Sequence, residues 1–304
     1  MPELPTRAVP HPQMRTAFPI LESWPDYELI DIGERRKLER FGTVIVDRPE
    51  PQALWRKSAP ADIWAGAHMT FDAADEQETG AWKIHREPPR PWAVRFDKVT
   101  ALCRTMTFRH VGVFPEQASH WRWVMQRIEA AGRPLSILNL FGYTGIVSLL
   151  AAGAGANVTH VDASKKAIGW ARENQAASGL NDAPIRWICD DAVAFVDREI
   201  RRGRQYDAII LDPPAYGRGP DGEVWSLFDD VTRLVGQCGK LLSPNANFVL
   251  MSAYALRLSF FSVAELLADI DRPGAIEAGE LMLKSTYGQR DFATSLFARW
   301  TPHE

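Results

Sequence analysis

The 304-residue chain has three cysteines, Cys103, Cys189 and Cys238, spaced too widely for a metal-ligand motif or a disulfide framework. A reduced, cytoplasmic protein without a bound metal is expected. No run reaches the roughly 18 consecutive apolar residues that a membrane-spanning helix needs. The first 24 residues also lack the basic-then-apolar layout of a secretion signal, so no membrane attachment is expected. Repeats and low-complexity tracts are missing, and nothing specifies an oligomeric state. Neither sign of charge dominates: 35 Lys and Arg against 38 Asp and Glu leave a net charge of −3. The chain as a whole therefore gives no support for tight non-specific nucleic-acid binding, which runs on Lys/Arg–phosphate contacts. At the glycine turn 142–145 neither the Gly-x-Gly-x-x-Gly pattern of dinucleotide sites nor the Gly-Lys-Ser/Thr ending of a P-loop is present.

What is present fits an ordinary globular protein, 46% hydrophobic and 24% charged, long enough for an α/β domain plus a smaller module. Residues 1–24 carry Pro2, Pro5, Pro10, Pro12 and Pro19 and read as a loose leader. Residues 25–108 read as a β-rich domain, with short apolar runs at 27–32 and 43–46, an acidic loop at 62–80, and a hairpin of 92–96 with 100–108. Between Lys83 and Arg127 stand nine basic residues against Glu87, Asp97 and Glu116, with Trp82, Trp92, Trp121 and Trp123 among them. Such a patch suits single-stranded RNA, where cations meet phosphates and rings stack on bases. It equally suits a solvated sheet face over core tryptophans.

Residues 109–304 read as the second domain. A helix begins near Pro115 and ends by Gly132. Strands at 135–140, 157–161, 185–188, 208–211 and 248–251 then alternate with helices at 146–152, 165–178, 192–202, 224–242 and 262–270. Strands at 281–284 and 295–300 close the chain as an antiparallel hairpin. The alternation predicts a mostly parallel sheet with right-handed crossovers. In such sheets ligands sit beyond the carboxyl ends of the strands.

Two strand ends carry chemistry. Ser136-Ile-Leu-Asn-Leu-Phe-Gly-Tyr-Thr-Gly145 runs from an apolar strand into a glycine turn where backbone can approach a ligand. Asp162 ends the next strand, followed by Ala163 and by Ser164 as a helix cap. A glycine turn answered by an acid about 20 residues on is the logic of nucleoside binding, the carboxylate accepting from ribose. Without a phosphate cradle, S-adenosylmethionine fits better than NAD or ATP. Asp190 and Asp191, before Ala192, offer acceptors for an adenine amino group, or a helix cap. At the other end, Ile209-Ile-Leu-Asp-Pro-Pro-Ala-Tyr216 closes a strand with Asp212 and two residues lacking amide donors, Pro213 and Pro214. Asp212 can orient an amino group while Tyr216 stacks on a planar ring.

Leu138-Asn-Leu-Phe-Gly-Tyr-Thr-Gly145, with Asp162, Asp191 and Asp212-Pro-Pro-Ala-Tyr216, resembles the class I S-adenosylmethionine-dependent methyltransferases. Within them it is similar to the bacterial 23S ribosomal RNA enzymes that act on cytosine carbon-5 or guanine nitrogen-7. The resemblance runs over residues 83–300 and includes Gly112-Val-Phe-Pro-Glu-Gln117. It implies a Rossmann-like methyltransferase sheet with a smaller N-terminal β-rich domain, an S-adenosylmethionine cofactor and an RNA substrate, ribosomal RNA first. It further implies that Gln117 covers the cofactor and that Asn139, Phe141, Gly142, Tyr143, Thr144 and Gly145 line its methionine end. Asp162 would hold the ribose, Asp191 and Ala192 the adenine, and Asp212 with Pro213 would face the transferred methyl. Asn174 is a further candidate on the cofactor side, or simply a polar residue on a helix surface.

One absence narrows the chemistry. Carbon-5 methylation of cytosine needs a cysteine nucleophile, which the family places after the fifth strand, where this chain reads Met251-Ser-Ala-Tyr254. Cys238 falls on an apolar helical stripe with Val224, Leu227, Phe228, Val231, Leu234 and Val235. Direct transfer to nitrogen or oxygen is the expectation, with Asp212, Pro213 and Tyr216 at the catalytic end and Tyr254 a second ring for stacking. The alternatives are a methyltransferase for a small molecule or protein, a silent cofactor-binding scaffold and, remotely, a nicotinamide oxidoreductase.

Overall fold

The computed structural model describes residues 11–21, 23–73, 79–254 and 258–303. Pro2, Pro5 and Pro10 of the expected leader, and residues 74–78 of the expected acidic loop, lie outside them.

The described residues begin with β1 (Gln13–Ala17) and β2 (Ile20–Leu21), then β3 (Tyr27–Gly33), β4 (Arg36–Phe41), β5 (Val44–Pro49), helix α1 (Ala61–Ala65), β6 (Met69–Ala73), β7 (Gly80–Ile84), β8 (Ala93–Phe96) and β9 (Val99–Leu102). Strands β3 to β7 form a five-stranded sheet in that order, and β8 pairs with β9 in the expected hairpin. After a single turn at Pro115–Gln117, the α/β part runs α2 (Ala118–Ala130), β10 (Ser136–Leu140), α3 (Ile146–Gly153), β11 (Asn157–Asp162), α4 (Lys165–Ala177), β12 (Ile185–Cys189), α5 (Ala192–Arg201) and β13 (Ala208–Leu211). It continues through β14 (Tyr216–Arg218), β15 (Val224–Ser226), α6 (Leu227–Leu241), β16 (Phe248–Tyr254), α7 (Phe260–Leu267), β17 (Ala275–Lys284) and β18 (Asp291–Thr301).

The large sheet is ordered β1-β17-β18-β16-β13-β10-β11-β12, with β2 also on β17. From β16 to β12 all neighbours are parallel, while β18 lies antiparallel between β16 and β17. This is the expected mostly parallel, Rossmann-like sheet closed by an antiparallel hairpin. Every residue of β13, Ala-Ile-Ile-Leu, is buried, as a central parallel strand covered on both faces requires. An apolar cluster joins β3, β5, β8 and β9 to Trp121, Ile146, Leu149 and Phe292, so the β-rich part and the α/β part share one core across residue 108.

Four sequence expectations change. Gln13–Ala17, inside the segment read as a loose leader, is an edge strand paired in parallel with β17. The pairing is close: a Cβ on Gly279 would come 1.6 Å from the Ala17 carbonyl oxygen. The stretch read as an acidic loop holds α1 and β6, anchored by buried Trp64, Met69 and Phe71. The helix expected from residue 224 begins at Leu227, because Val224–Ser226 turns back onto Tyr216–Arg218 as a hairpin. Trp225 fixes that hairpin by donating from Nε1 to the Pro214 carbonyl at 2.7 Å. Consequently Val224 and Phe228 leave the apolar stripe and are exposed, 57% and 65%, whereas Leu227, Val231, Leu234, Val235 and Cys238 stay buried. Finally, β4 had no counterpart in the sequence reading, since its charged Lys37 and Glu39 point into the protein.

Candidate active site

Strands β10 to β13 and β16 end on one edge of the sheet, and beyond them opens a cleft of about 650 Å³. A recess of about 60 Å³ leads inward from it, sharing Phe114, Gln117, Phe141, Tyr143 and Asp212 as walls. The loop after β10 enters the cleft in an unusual backbone state. Positive φ falls on Phe141 (57°), Tyr143 (50°) and Gly145, while Gly142 is needed for a different reason. A Cβ on Gly142 would lie 2.3 Å from the His160 imidazole. Two aromatic residues held in the left-handed region cost conformational energy that the surrounding structure must offset, as is common where a loop holds a ligand.

Asp162 braces that loop. Its Oδ2 accepts from the Tyr143 amide and its Oδ1 from the Ser164 amide, both at 2.8 Å. Burial raises the carboxyl pKa and the two amides oppose the rise. A carboxylate oxygen has two lone pairs, so each keeps acceptor capacity toward the cleft. Ala163 and Ser164 line the cleft beside it, and Ser164 Oγ caps α4 by accepting from Ala167 N at 3.2 Å. At the next strand end Asp190, Asp191 and Ala192 also line the cleft. Asp190 is ion-paired with Arg198, and Asp191 caps α5 through Oδ1, 2.8 Å from Ala194 N. Asp191 therefore caps the helix and also lines the cleft.

The inner recess takes Asn139, Gly142 and Thr144. Asn139 donates from Nδ2 to Ser148 Oγ at 2.9 Å, and Ser148 Oγ lies 3.0 Å from His160 Nδ1, so the Asn139 side chain serves the scaffold beneath the loop. Thr144 Oγ1 donates to the Gly112 carbonyl at 2.8 Å, tying the loop to the segment that carries Gln117. Gly145 lines neither space; it is the left-handed residue that starts α3. Asn174 is neither at the cofactor side nor on the surface. It is fully buried, accepting from Leu102 N and donating to the Thr144 carbonyl, each at 2.9 Å.

Asp212 lines both the cleft and the recess. Burial, and after it the charge of Glu116, push its carboxyl up to about 7. Pro213 is buried against it and Tyr216 stands at the rim, 57% exposed. The sequence reading missed Met106, Phe108, His110, Phe114 and Glu116 on the cleft, and Trp225, which bonds to Pro214 on the hairpin that carries Tyr216. Phe114 links the two sides, its ring 5.7 Å from Tyr143 and 6.2 Å from Tyr254. Glu116 and Phe114 belong to the Gly112–Gln117 motif, and that motif was the signal available for them.

Tyr254 is held from the N-terminal β-rich sheet. Its hydroxyl accepts from Arg109 Nη2, and Arg109 Nη1 donates to the Pro49 carbonyl at 2.6 Å. Arg48 donates to the Arg109 carbonyl at 3.0 Å and pairs with buried Glu39, which also accepts from the Tyr27 hydroxyl at 3.0 Å. Arg109 is thereby withdrawn from the basic patch, and Arg127 bonds to Asn247. The tryptophans of that patch are mostly packing groups: Trp92 and Trp121 are buried, and Trp123 lies 5.0 Å from Phe248. The exposed rings at the cleft are Phe108 and Tyr216 instead.

No cysteine lines the cleft. Burial pushes the Cys103 thiol far up and that of Cys238 up to about 12. Among the described residues no helix is long and apolar enough to cross a membrane, and no group of His, Cys, Asp and Glu could hold a metal ion.

A family model described as S-adenosylmethionine-dependent methyltransferase covers residues 57–256. The chain belongs to that family. This methyltransferase is 46% identical to the S-adenosylmethionine-dependent methyltransferase of Agrobacterium tumefaciens, with a TM-score of 0.93 over 98% of this chain and 97% of that one. A Streptococcus mutans methyltransferase shares the fold at 17% identity and a TM-score of 0.69, covering 91% and 75% of the two chains. The ribosomal RNA large subunit methyltransferase K/L of Shewanella frigidimarina is 36% identical over 116 residues, 38% of this chain and 16% of that protein. That of Pseudoalteromonas atlantica is 32% identical over 140 residues, 45% and 19%. The chain thus matches less than a fifth of the length of these relatives. The cofactor of the methyltransferase is S-adenosylmethionine, and the cleft fits it: acids at two successive strand ends, a glycine loop without a phosphate cradle, and a recess behind that loop.

Proposed function

We propose that the methyltransferase transfers a methyl group directly to a nitrogen or oxygen of a base in RNA, ribosomal RNA first. The observation that carries this reading is the composition of the open half of the cleft. Asp212 and Pro213 face a wall of flat side chains, Phe108, His110, Phe114 and Tyr254, with Tyr216 at the rim. Flat walls around a carboxylate suit a planar heterocycle that presents N–H groups, and a base in a duplex must leave its stack to reach such a slot. The names of the Shewanella and Pseudoalteromonas relatives support ribosomal RNA as the substrate.

On the cofactor side, Asp162 takes the ribose hydroxyls with the lone pairs its two amide partners leave, flanked by Ala163 and Ser164. Asp190, Asp191 and Ala192 face the adenine. Phe141, Gly142, Tyr143, Thr144 and Gly145 shape the seat of the methionine end, Asn139 supports them from below, and Gln117 closes over it. The bound cofactor supplies a methyl group already activated by a sulfonium. Alignment of the acceptor is then the main task of the protein. Asp212 accepts from the N–H of the acceptor, orients the nitrogen lone pair toward the methyl, softens the charge that develops and takes the proton that the methylated nitrogen gives up. Pro213 and Pro214 keep that strand end extended, and Tyr216 covers the ring. Cys103 and Cys238 are buried and half-buried Cys189 does not line the cleft, which supports direct transfer.

Labelling with methyl-radioactive cofactor in total RNA, protein and small-molecule fractions tests the reading. Label should enter RNA, and Asp212→Ala should abolish it while cofactor affinity stays within a few-fold. Label confined to protein or small molecules, or full turnover by Asp212→Ala, would overturn it.

A further inference from the structure

A buried cation stands beside the open half of the cleft without entering it. Arg109 is 4% exposed and does not line the cleft, although its chain neighbours Phe108 and His110 both do. Taking a guanidinium out of water is costly unless its donors are met. Arg109 Nη1 donates to the Pro49 carbonyl at 2.6 Å, and Nη2 donates to the Tyr254 hydroxyl. The Arg109 carbonyl accepts from Arg48 Nη1 at 3.0 Å, and Arg48 is locked in turn on buried Glu39. Arg109 is therefore a bracket. Its backbone and one arm of its fork are fastened to β5, and the other arm reaches Tyr254 across the boundary between the two parts of the fold.

Tyr254 is the last residue of β16, where its backbone pairs with Ser295 of β18. Its ring lies 6.1 Å from His110 and 6.2 Å from Phe114, both on the cleft wall. Neither ring contact fixes the hydroxyl end; the bond from Arg109 does. Burial pushes the phenol up to about 12, so it stays neutral and offers its oxygen to the guanidinium, which has donors only. We propose that Arg109 is a positioning residue for the acceptor base: it holds the Tyr254 ring at one angle to the slot, so that the β-rich sheet sets how the base stacks. This rests on the reading of the open half of the cleft as the acceptor slot, and adds to it a residue that touches neither base nor cofactor. Aromatic faces attract one another only in particular arrangements, so a ring left free to tilt loses part of its hold on a base. A bond that merely joins the two parts of the fold would instead cost stability without favouring acceptor over cofactor.

A double-mutant cycle tests it, read by steady-state methylation of an RNA fragment at saturating cofactor and by calorimetry with S-adenosylhomocysteine. Arg109→Met keeps the length of the side chain but no donor. It should raise the KM for RNA about five- to twentyfold, part of what stacking on a ring supplies, and leave S-adenosylhomocysteine affinity within about twofold. Tyr254→Phe keeps the ring and removes only the oxygen that Arg109 holds, and should raise KM by a similar factor. Arg109→Met placed on Tyr254→Phe should then add almost nothing, because the two residues act through one bond. Arg109→Lys, a point charge in place of a fork, should give an intermediate KM in the wild-type background and no further change on Tyr254→Phe. Should Arg109→Met fail to fold, Arg109→Lys and Tyr254→Phe complete the same cycle. An unchanged KM in Tyr254→Phe, independent losses in the double variant, or a loss that falls on S-adenosylhomocysteine rather than on RNA would overturn the proposal. Wild type that labels no RNA at all would sink the acceptor reading itself, a separate and recognisable result.

Discussion

Glu116 and Asp212 face the same cleft from the turn before α2 and from the end of β13, and the charge of Glu116 is one of the two causes that lift Asp212 to about 7. Burial raises the Glu116 carboxyl too, although Lys37 and Arg48 of the β-rich sheet lower it. Glu39 opposes them, and Tyr254 stands near both Glu116 and Lys37. Two acids that line one cleft thus titrate within a setting that the N-terminal strands help to fix.

The first prediction follows from Asp212. Its carboxylate form is the acceptor, so kcat/KM at saturating cofactor should rise with pH through an apparent pKa near 7 and then level. Glu116→Gln removes the neighbouring charge and should move that rise to lower pH. Stability runs the other way. The folded state keeps the Asp212 proton between about pH 4 and 7, where an unfolded chain has already lost it. Asp212 therefore makes the fold less stable as pH rises across that window, and Asp212→Asn should flatten the corresponding fall in Tm. A pH–rate profile unchanged by Glu116→Gln would refute the coupling.

A second prediction concerns the buried pair that supports the Tyr254 wall. Arg48 and Glu39 are 3% and 0% exposed. Arg48→Met leaves Glu39 without its closest cation and should cost about 3–5 kcal/mol in denaturant unfolding. Removing both charges in Glu39→Met/Arg48→Met should restore much of that loss, because an apolar pair of similar volume avoids the buried charge. If the double variant is less stable than Arg48→Met, the pair is not the source of the penalty.

These residues also show where the sequence could be read and where it could not. The central strands are plain because both faces are buried, which leaves β10 and β13 as apolar runs ending at Gly142 and Asp212. Asp162, Asp190, Asp191 and Asp212 could be proposed for the same reason, each standing where such a run stops, whereas Glu116, in the turn before α2, does not. Strand β4 was not, since Lys37 and Glu39 reverse the usual pattern by pairing inside. Gln13–Ala17 gains its place from a ladder with Ala275–Gly279, some 260 residues on, which no local pattern encodes. Val224–Ser226 sits directly before an amphipathic helix and merges with it by periodicity. Only tertiary packing separates them, through the Trp225 bond to Pro214.

The third prediction is at the glycine loop. Gly142→Ala puts a methyl group 2.3 Å from His160, whose ring is held by Ser148 and stacked edgewise on Trp187 at 4.6 Å. Overpacking of this kind costs about 1–3 kcal/mol, and here the loop and the cofactor seat absorb it. Gly142→Ala should lower Tm and weaken S-adenosylhomocysteine together. His160→Ala makes room and should relieve part of both defects in the double variant, a coupling that independent sites would not show. Additive losses in the double variant would mean that the His160 contact is not the reason for glycine.

Tyr216 gives the sharpest separation of acceptor from cofactor. Its ring is more than half exposed, on the β14–β15 hairpin, and it contributes little to the core. Surface substitutions of this kind change stability by less than about 0.5 kcal/mol, so Tyr216→Ala should unfold like wild type and bind S-adenosylhomocysteine unchanged. Stacking of a base on an aromatic ring is worth about 1–3 kcal/mol, which corresponds to roughly 5- to 150-fold in the KM for an RNA acceptor. Tyr216→Phe should restore it, since the face of the ring rather than the hydroxyl makes the contact. Steady-state methylation of an RNA fragment by the three proteins measures this directly. An unchanged KM in Tyr216→Ala would remove Tyr216 from the acceptor site and leave Tyr254 and Phe114 as the walls for the base.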